Sequence, residues 1–198
     1  MKTHSINAFN KRKIDGLILL STNKHLDERG FFQESWNELE WIRILKDYGQ
    51  PYSTFVQDNH SCSTKGVLRG MHYQINPYSQ GKLIRCIKGE IYDVAIDIRL
   101  KSPSFGKWVG LYLSGENNMQ LWLPSGFAHG FLTLSDKADV IYKVTNFWNK
   151  DCERSLNWKD PSLDIQWPIK NTDISIQLSQ KDMNAPFLSD LEIGDLFE

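Results

Sequence analysis

A mainly β, antiparallel sandwich or barrel with one short helix near the N-terminus is the fold class this sequence predicts. Three observations predict it. Between residues 53 and 148 the chain divides into short runs rich in β-branched, aromatic and aliphatic residues, with turn-forming residues between them. Only one window has clear helical spacing. Of 198 residues, 40% are hydrophobic, and no repeat, low-complexity tract or linker interrupts them, so a single domain over residues 1–198 with a sizeable core is expected.

In chain order, "GLILLST" (16–22) reads as a strand, and "NKHLDERGFF" after it as a polar connection with a glycine turn. "NELEWIRILKDYG" (37–49) is the helix. Leu39, Ile42 and Leu45 recur every three residues with Trp41 and Tyr48 flanking the stripe, Asn37 can cap the start, and Gly49 followed by Pro51 stops it. The strand-like runs are "STFVQDNHS", "GVLRGMHYQ", "GKLIRCIKG", "EIYDVAIDIRL", "WVGLYLSG", "MQLWLPSG", "AHGFLTLS" and "ADVIYKVTNFW". From about residue 150 the pattern is irregular, with short packing segments and a terminal helical turn expected.

Composition narrows the function. A formal net charge of −1 supplies no global basic field for nucleic acid and no acidic excess for disorder. Cys62, Cys86 and Cys152 are odd in number and widely spaced, which argues against a disulfide framework or a structural zinc site. The charged start "MKTHSINAFNKRKIDG" has no apolar core, and no run is long enough to span a bilayer, so a soluble cytoplasmic protein is expected. Seven Trp, seven Tyr and ten Phe suit either a large β core or a pocket that stacks a flat ligand.

Alternation assigns faces. Tyr92, Val94, Ile96 and Ile98 form an apolar face, and Asp93, Ala95, Asp97 and Arg99 form the other, which is either solvated or lines a polar interior. Lys82 shares a side with Ile84 and so can point inward. In "GVLRGMHYQ" (66–74) strict alternation sends Arg69 and His72 to opposite faces, and they share a cavity only if Gly70 forms a bulge. Tyr142 and Trp148 share a face about 20 Å apart if the strand stays extended, an arrangement equally suited to a sheet core or to a long ligand. His129 enters a strand after a Pro/Gly turn, as a packed or a functional histidine. A cupin-like metal site would need an HxH pair, but Tyr73 and Gln74 follow His72, so no metal is expected.

Taken together, "DERGFFQE" (27–34), "FVQDNHS" (55–61), "GVLRGMHYQ", "QGKLIRCIKGEIYDVAIDIR" (80–99), "SPSFGKWVG" (102–110), "LWLPSGFAHGFLTLS" (121–135), "YKVTNFW" (142–148) and "LSQKD" (178–182) resemble the dTDP-4-dehydrorhamnose 3,5-epimerases, in order, over roughly residues 15–188. The resemblance implies a cupin-type β-barrel or jelly roll without cofactor or metal, forming a homodimer that exchanges N-terminal strands. Its substrate would be dTDP-4-dehydro-6-deoxy-D-glucose and its product dTDP-4-dehydro-L-rhamnose. His72 then matches the base, Tyr142 the acid and Asp182 the carboxylate paired with the histidine. Arg29, Glu34, Gln57, Asn59, Arg69, Lys82, His129, Glu153 and Lys181 match substrate-contacting positions, with Lys82 suited to hold the enolate oxygen. Trp148 stands at the position that stacks on thymine, where tyrosine or phenylalanine is expected.

Overall fold

The computed structural model describes residues 1–6, 14–170 and 172–198, so much of the charged start lies outside the described residues. Two antiparallel sheets face each other. One runs β1 (Lys2–His4), β2 (Ile18–Ser21), β10 (Met119–Leu123), β7 (Lys82–Lys88), β12 (Lys137–Val144), β5 (Gln57–Thr64) in spatial order. The other runs β13 (Glu153–Ser155), β6 (Leu68–Gln74), β11 (Phe127–Thr133), β8 (Glu90–Asp97), β9 (Trp108–Ser114). The eight runs read from the sequence between residues 53 and 148 thus become β5 to β12. The sheets do not close into a continuous ring, and the architecture is the jelly-roll form of the expected class.

Inward-facing residues of both sheets, among them Ile84, Ile91, Ala95, Val109, Leu121, Phe127 and Val140, form the central core. Asp93 and Asp97 are fully buried on the same face of β8 as Ala95, so the second face of that strand lines the interior. Its other face, Tyr92, Val94, Ile96 and Ile98, is covered by the C-terminal segment through Leu156, Leu163 and Trp167. Burial on both faces explains why β8 is apolar almost throughout.

Helix α1 (Glu38–Asp47) begins at Asn37, whose side chain accepts from the Leu39 and Glu40 N–H groups. It packs on the outer face of the six-stranded sheet, but not with the expected stripe. Trp41, Ile44 and Leu45 are buried against Ile18, Leu20, Leu83 and Trp122, while Leu39 is 75% and Ile42 41% exposed. At about 100° per residue, Leu39 lies about 160° from Trp41, and the indole, packed 5.0 Å from that of Trp122, decides which face turns inward. The segment expected as a polar connection is instead a hairpin, β3 (His25–Asp27) and β4 (Gly30–Phe32), which leaves Leu26, Phe31 and Phe32 exposed.

Candidate active site

β6 and β11 pair with His72 opposite His129 and Arg69 opposite Phe131, so Gly70 and Met71 face Gly130 alone. This is the bulge expected at Gly70. That residue has φ 125°, and a Cβ on it would lie 2.5 Å from the Gly130 Cα, which leaves room only for glycine. The extra residue lets two side chains that alternation would separate both turn inward. Arg69 Nε donates to Ser63 Oγ of the opposite sheet at 2.9 Å, and His72 lines a cleft of about 120 Å³ at one end of the sandwich.

Both sheets supply this cleft. Gln57 and Asn59 come from β5, Lys82 from β7 and Tyr142 from β12, all in the sheet opposite His72. Trp148 and Glu153 close its side. Trp148 does not extend β12, as the alternation reading supposed. The strand ends at buried Val144, the chain bends at Thr145 and Asn146, and Trp148 returns to the cleft that Tyr142 lines. The 20 Å separation of an unbroken strand therefore does not apply.

Asp182 lies on α2 (Gln180–Met183), a single turn capped by Ser179 Oγ, which accepts from the Asp182 N–H at 3.1 Å. His72 Nε2 lies 2.5 Å from Asp182 Oδ1. Burial opposes ionisation of Asp182, but the hydrogen bond and charge of His72, with further hydrogen bonds from Ser179 and the Gly70 backbone, hold its carboxyl below the usual range. The ionised carboxylate accepts from Nε2–H and leaves the other ring nitrogen as the one able to take a proton.

Lys82 is 7% exposed and its Nζ donates to the His72 carbonyl at 3.2 Å. Burial pulls its ammonium down to about 8, against the charges of Glu153 and Asp93, while Lys181 pulls the same way as burial. It is still mostly protonated at neutral pH. Burial pushes the Tyr142 phenol up; nearby Arg69 opposes this and Glu153 reinforces it, so the phenol is a neutral proton donor. Burial also disfavours the Glu153 carboxylate, but Lys181 Nζ at 2.6 Å, the Trp148 side chain and His72 outweigh it and hold Glu153 below its ordinary value. His129 Nε2 meets Asp93 Oδ2 at 2.8 Å within the sandwich, one register position across from His72.

Eleven of the thirteen residues singled out from the sequence are thus at or beside one cleft. Arg29 and Glu34 are not. Arg29 is held by Asp27 within the exposed hairpin, and Glu34 accepts from Asn37 Nδ2 at the start of α1. A larger cavity, about 310 Å³, lies between Phe31 of that hairpin and Arg85, Ile87 and Gly115. Neither a carboxylate nor a histidine lines it, so the acid–base groups belong to the smaller cleft.

A family model described as dTDP-4-dehydrorhamnose 3,5-epimerase matches residues 11–190. The chain belongs to that family. It is 51% identical to the dTDP-4-dehydrorhamnose 3,5-epimerase of Shigella flexneri over 88% of this chain and 92% of the relative. Among solved structures it matches the dTDP-6-deoxy-D-glucose-3,5-epimerase of Legionella pneumophila in complex with dTDP-4-keto-L-rhamnose, with TM-score 0.89, 44% identity, and coverage of 100% of this chain and 98% of the other. It also matches a 3′-monoepimerase from Streptomyces bikiniensis in complex with dTDP-quinovose, with TM-score 0.83, 33% identity, and coverage of 91% and 88%. Membership of the 3,5-epimerase family makes the chain an isomerase.

Among the described residues, no group of three or more His, Cys, Asp or Glu side chains is placed to hold a metal ion, and no helix is long and apolar enough to cross a membrane. Tyr73, Gln74 and Gln80, which also line the cleft, and Asp93, which pairs with His129, are residues that sequence reasoning did not assign to the site. Alternation puts Asp93 on the polar face of β8, but its pairing with His129 depends on the β8–β11 register, which the sequence does not state. Gln74 carried one signal, its place two residues beyond His72 and so on the same face.

Proposed function

We propose that the chain inverts C3 and C5 of dTDP-4-dehydro-6-deoxy-D-glucose to give dTDP-4-dehydro-L-rhamnose, within a single cytoplasmic domain of residues 1–198. The observation that carries the chemistry is the buried Asp182 carboxylate 2.5 Å from the partly exposed His72 imidazole, in a cleft that also holds a buried ammonium and a neutral phenol from the opposite sheet. The C4 ketone acidifies the hydrogens on both neighbouring carbons. His72 takes one of them, with Asp182 fixing its tautomer and stabilising the imidazolium. The electron pair moves onto the ketone oxygen, where Lys82 offsets a charge present in the enolate and absent from the ketone. Tyr142 then returns a proton from the other face of the ring, and the centre is inverted.

Arg69 and Lys181 are cations suited to the diphosphate, and Trp148 is the ring for the base to stack on. Gln57, Asn59, His129 and Glu153 complete the sugar contacts. Arg29 and Glu34 enter this reading through a second copy. In a homodimer that exchanges N-terminal strands, the hairpin carrying Arg29 would sit against the partner, which accounts for its exposed Leu26, Phe31 and Phe32.

Proton NMR of the purified protein with this substrate in D2O, and a second reaction coupled to an NADPH-dependent 4-reductase, tests the proposal. Deuterium at both C3 and C5, with dTDP-L-rhamnose in the coupled reaction, is the expected result. Exchange at C3 alone would replace it with the single inversion that the name of the Streptomyces relative states. No exchange at either carbon would remove His72 from its role.

A further inference from the structure

Gln74 is 3% exposed, and its amide is taken up by backbone from two loops. Nε2 donates to the Tyr78 carbonyl at 2.6 Å and to the Phe147 carbonyl at 3.1 Å, while Oε1 accepts from Asn149 N–H at 2.7 Å. The residues before and after Trp148 are therefore both tied to one side chain. Gln57 Oε1 accepts from the Trp148 N–H itself at 3.1 Å. Two further bonds join the same loops, from Gln80 Nε2 to the Asn146 carbonyl at 2.7 Å and from Asn146 Nδ2 to the Pro77 carbonyl at 3.2 Å. Trp148 itself is 55% exposed, so apart from the bond of its side chain to Glu153 its placement depends on how firmly this turn is held.

We propose that Gln74 is the positioning residue for Trp148, tying the turn that carries the indole to the strand that carries His72. It thereby fixes the span between the flat end and the reactive end of a nucleotide sugar, and in this it rests on the function proposed above. The position requires an amide. Two donors and one acceptor are used at once, whereas a carboxylate would face two carbonyl oxygens and a hydrocarbon would leave three backbone groups unpaired. Loosening the turn adds an ordering cost to every binding event but leaves His72, Asp182 and Lys82 in place.

The test compares wild type, Gln74→Met, Trp148→Ala and the double variant by steady-state kinetics in the reductase-coupled assay, with circular dichroism to confirm folding. Base–aromatic stacking contributes about a tenfold to hundredfold effect, so Gln74→Met is expected to raise KM about tenfold or more with kcat within about threefold of wild type. Because Gln74 acts through Trp148, the double variant should have a KM within about twofold of Trp148→Ala alone. A fall in kcat at unchanged KM, or two KM effects that multiply, overturns the proposal. If Gln74→Met does not fold, Gln74→Asn, whose shorter amide reaches fewer of the three backbone groups, carries the same test. If neither folds, Gln74 holds the fold at large and the proposal is lost. A wild type without turnover would instead overturn the proposed reaction. Calorimetry with dTDP alone then decides the role of Gln74, which stands only if Gln74→Met weakens that binding about tenfold.

Discussion

Replacing Asp182 with asparagine tests the centre of the proposed mechanism, because it keeps the shape of the side chain and removes its charge. Asp182 is 3% exposed, and one oxygen lies 2.5 Å from His72 Nε2. With charge centres about 4 Å apart and an effective dielectric constant of about 20, the carboxylate stabilises a full imidazolium by about 4 kcal/mol. If the proton is about half transferred in the transition state, about 2 kcal/mol of that is lost, or about 30-fold in rate. An asparagine also offers an N–H where the imidazole now donates, so part of the population takes the wrong tautomer, and the combined fall in kcat/KM should reach about 10²- to 10³-fold. The assay is solvent-deuterium exchange at C3 and C5 followed by NMR, with thermal unfolding of both proteins as a control. An exchange rate within about threefold of wild type in a folded Asp182→Asn protein would refute the reasoning, since His72 would then not depend on that carboxylate. A linked effect on stability has a fixed sign. The folded carboxyl is held below its ordinary 3.8, so its stabilisation is present above that pH and is lost as pH falls through the folded value. Asp182→Asn should lack that part of the acid-side loss.

Three further outcomes are expected. Lys82→Met should lower kcat/KM about a hundredfold or more, as loss of an oxyanion partner commonly does. Since the wild-type ammonium is pulled down to about 8, wild-type kcat/KM should fall as pH rises through that value, and a Lys82→Met profile that keeps this limb would move the assignment elsewhere. Tyr142→Phe should still exchange C–H protons at His72 but lose net epimerisation, and epimerisation at the wild-type rate would remove Tyr142 as the acid. Leu45→Ala, at a 1% exposed position under α1, should destabilise by about 2–5 kcal/mol in denaturant unfolding, whereas Arg43→Ala on the outward face should stay within about 0.5 kcal/mol.

Alternation separated the two faces of β8 without deciding which lines the interior, but the eight central strands and helix α1 with its Asn37 cap were legible in the sequence, because alternation, helical spacing and turn residues are local signals. So was the need for a bulge at Gly70, since two side chains of opposite parity can meet only across an irregularity. The proposed catalytic set came from family motifs in the right order, and the structure brings His72 and Asp182 together although they are 110 positions apart and no local rule pairs them. Tertiary structure decided the rest. Which stripe of α1 is buried depended on the Trp122 indole of another strand. Asp93 meets His129 through the register of β8 with β11. Trp148 returns to the cleft because Gln57 and Gln74 bond the backbone of its turn. The charge states follow the same division. A lysine is visible in the sequence, but a lysine pulled down to about 8 exists only once the two sheets have closed over it and removed it from water.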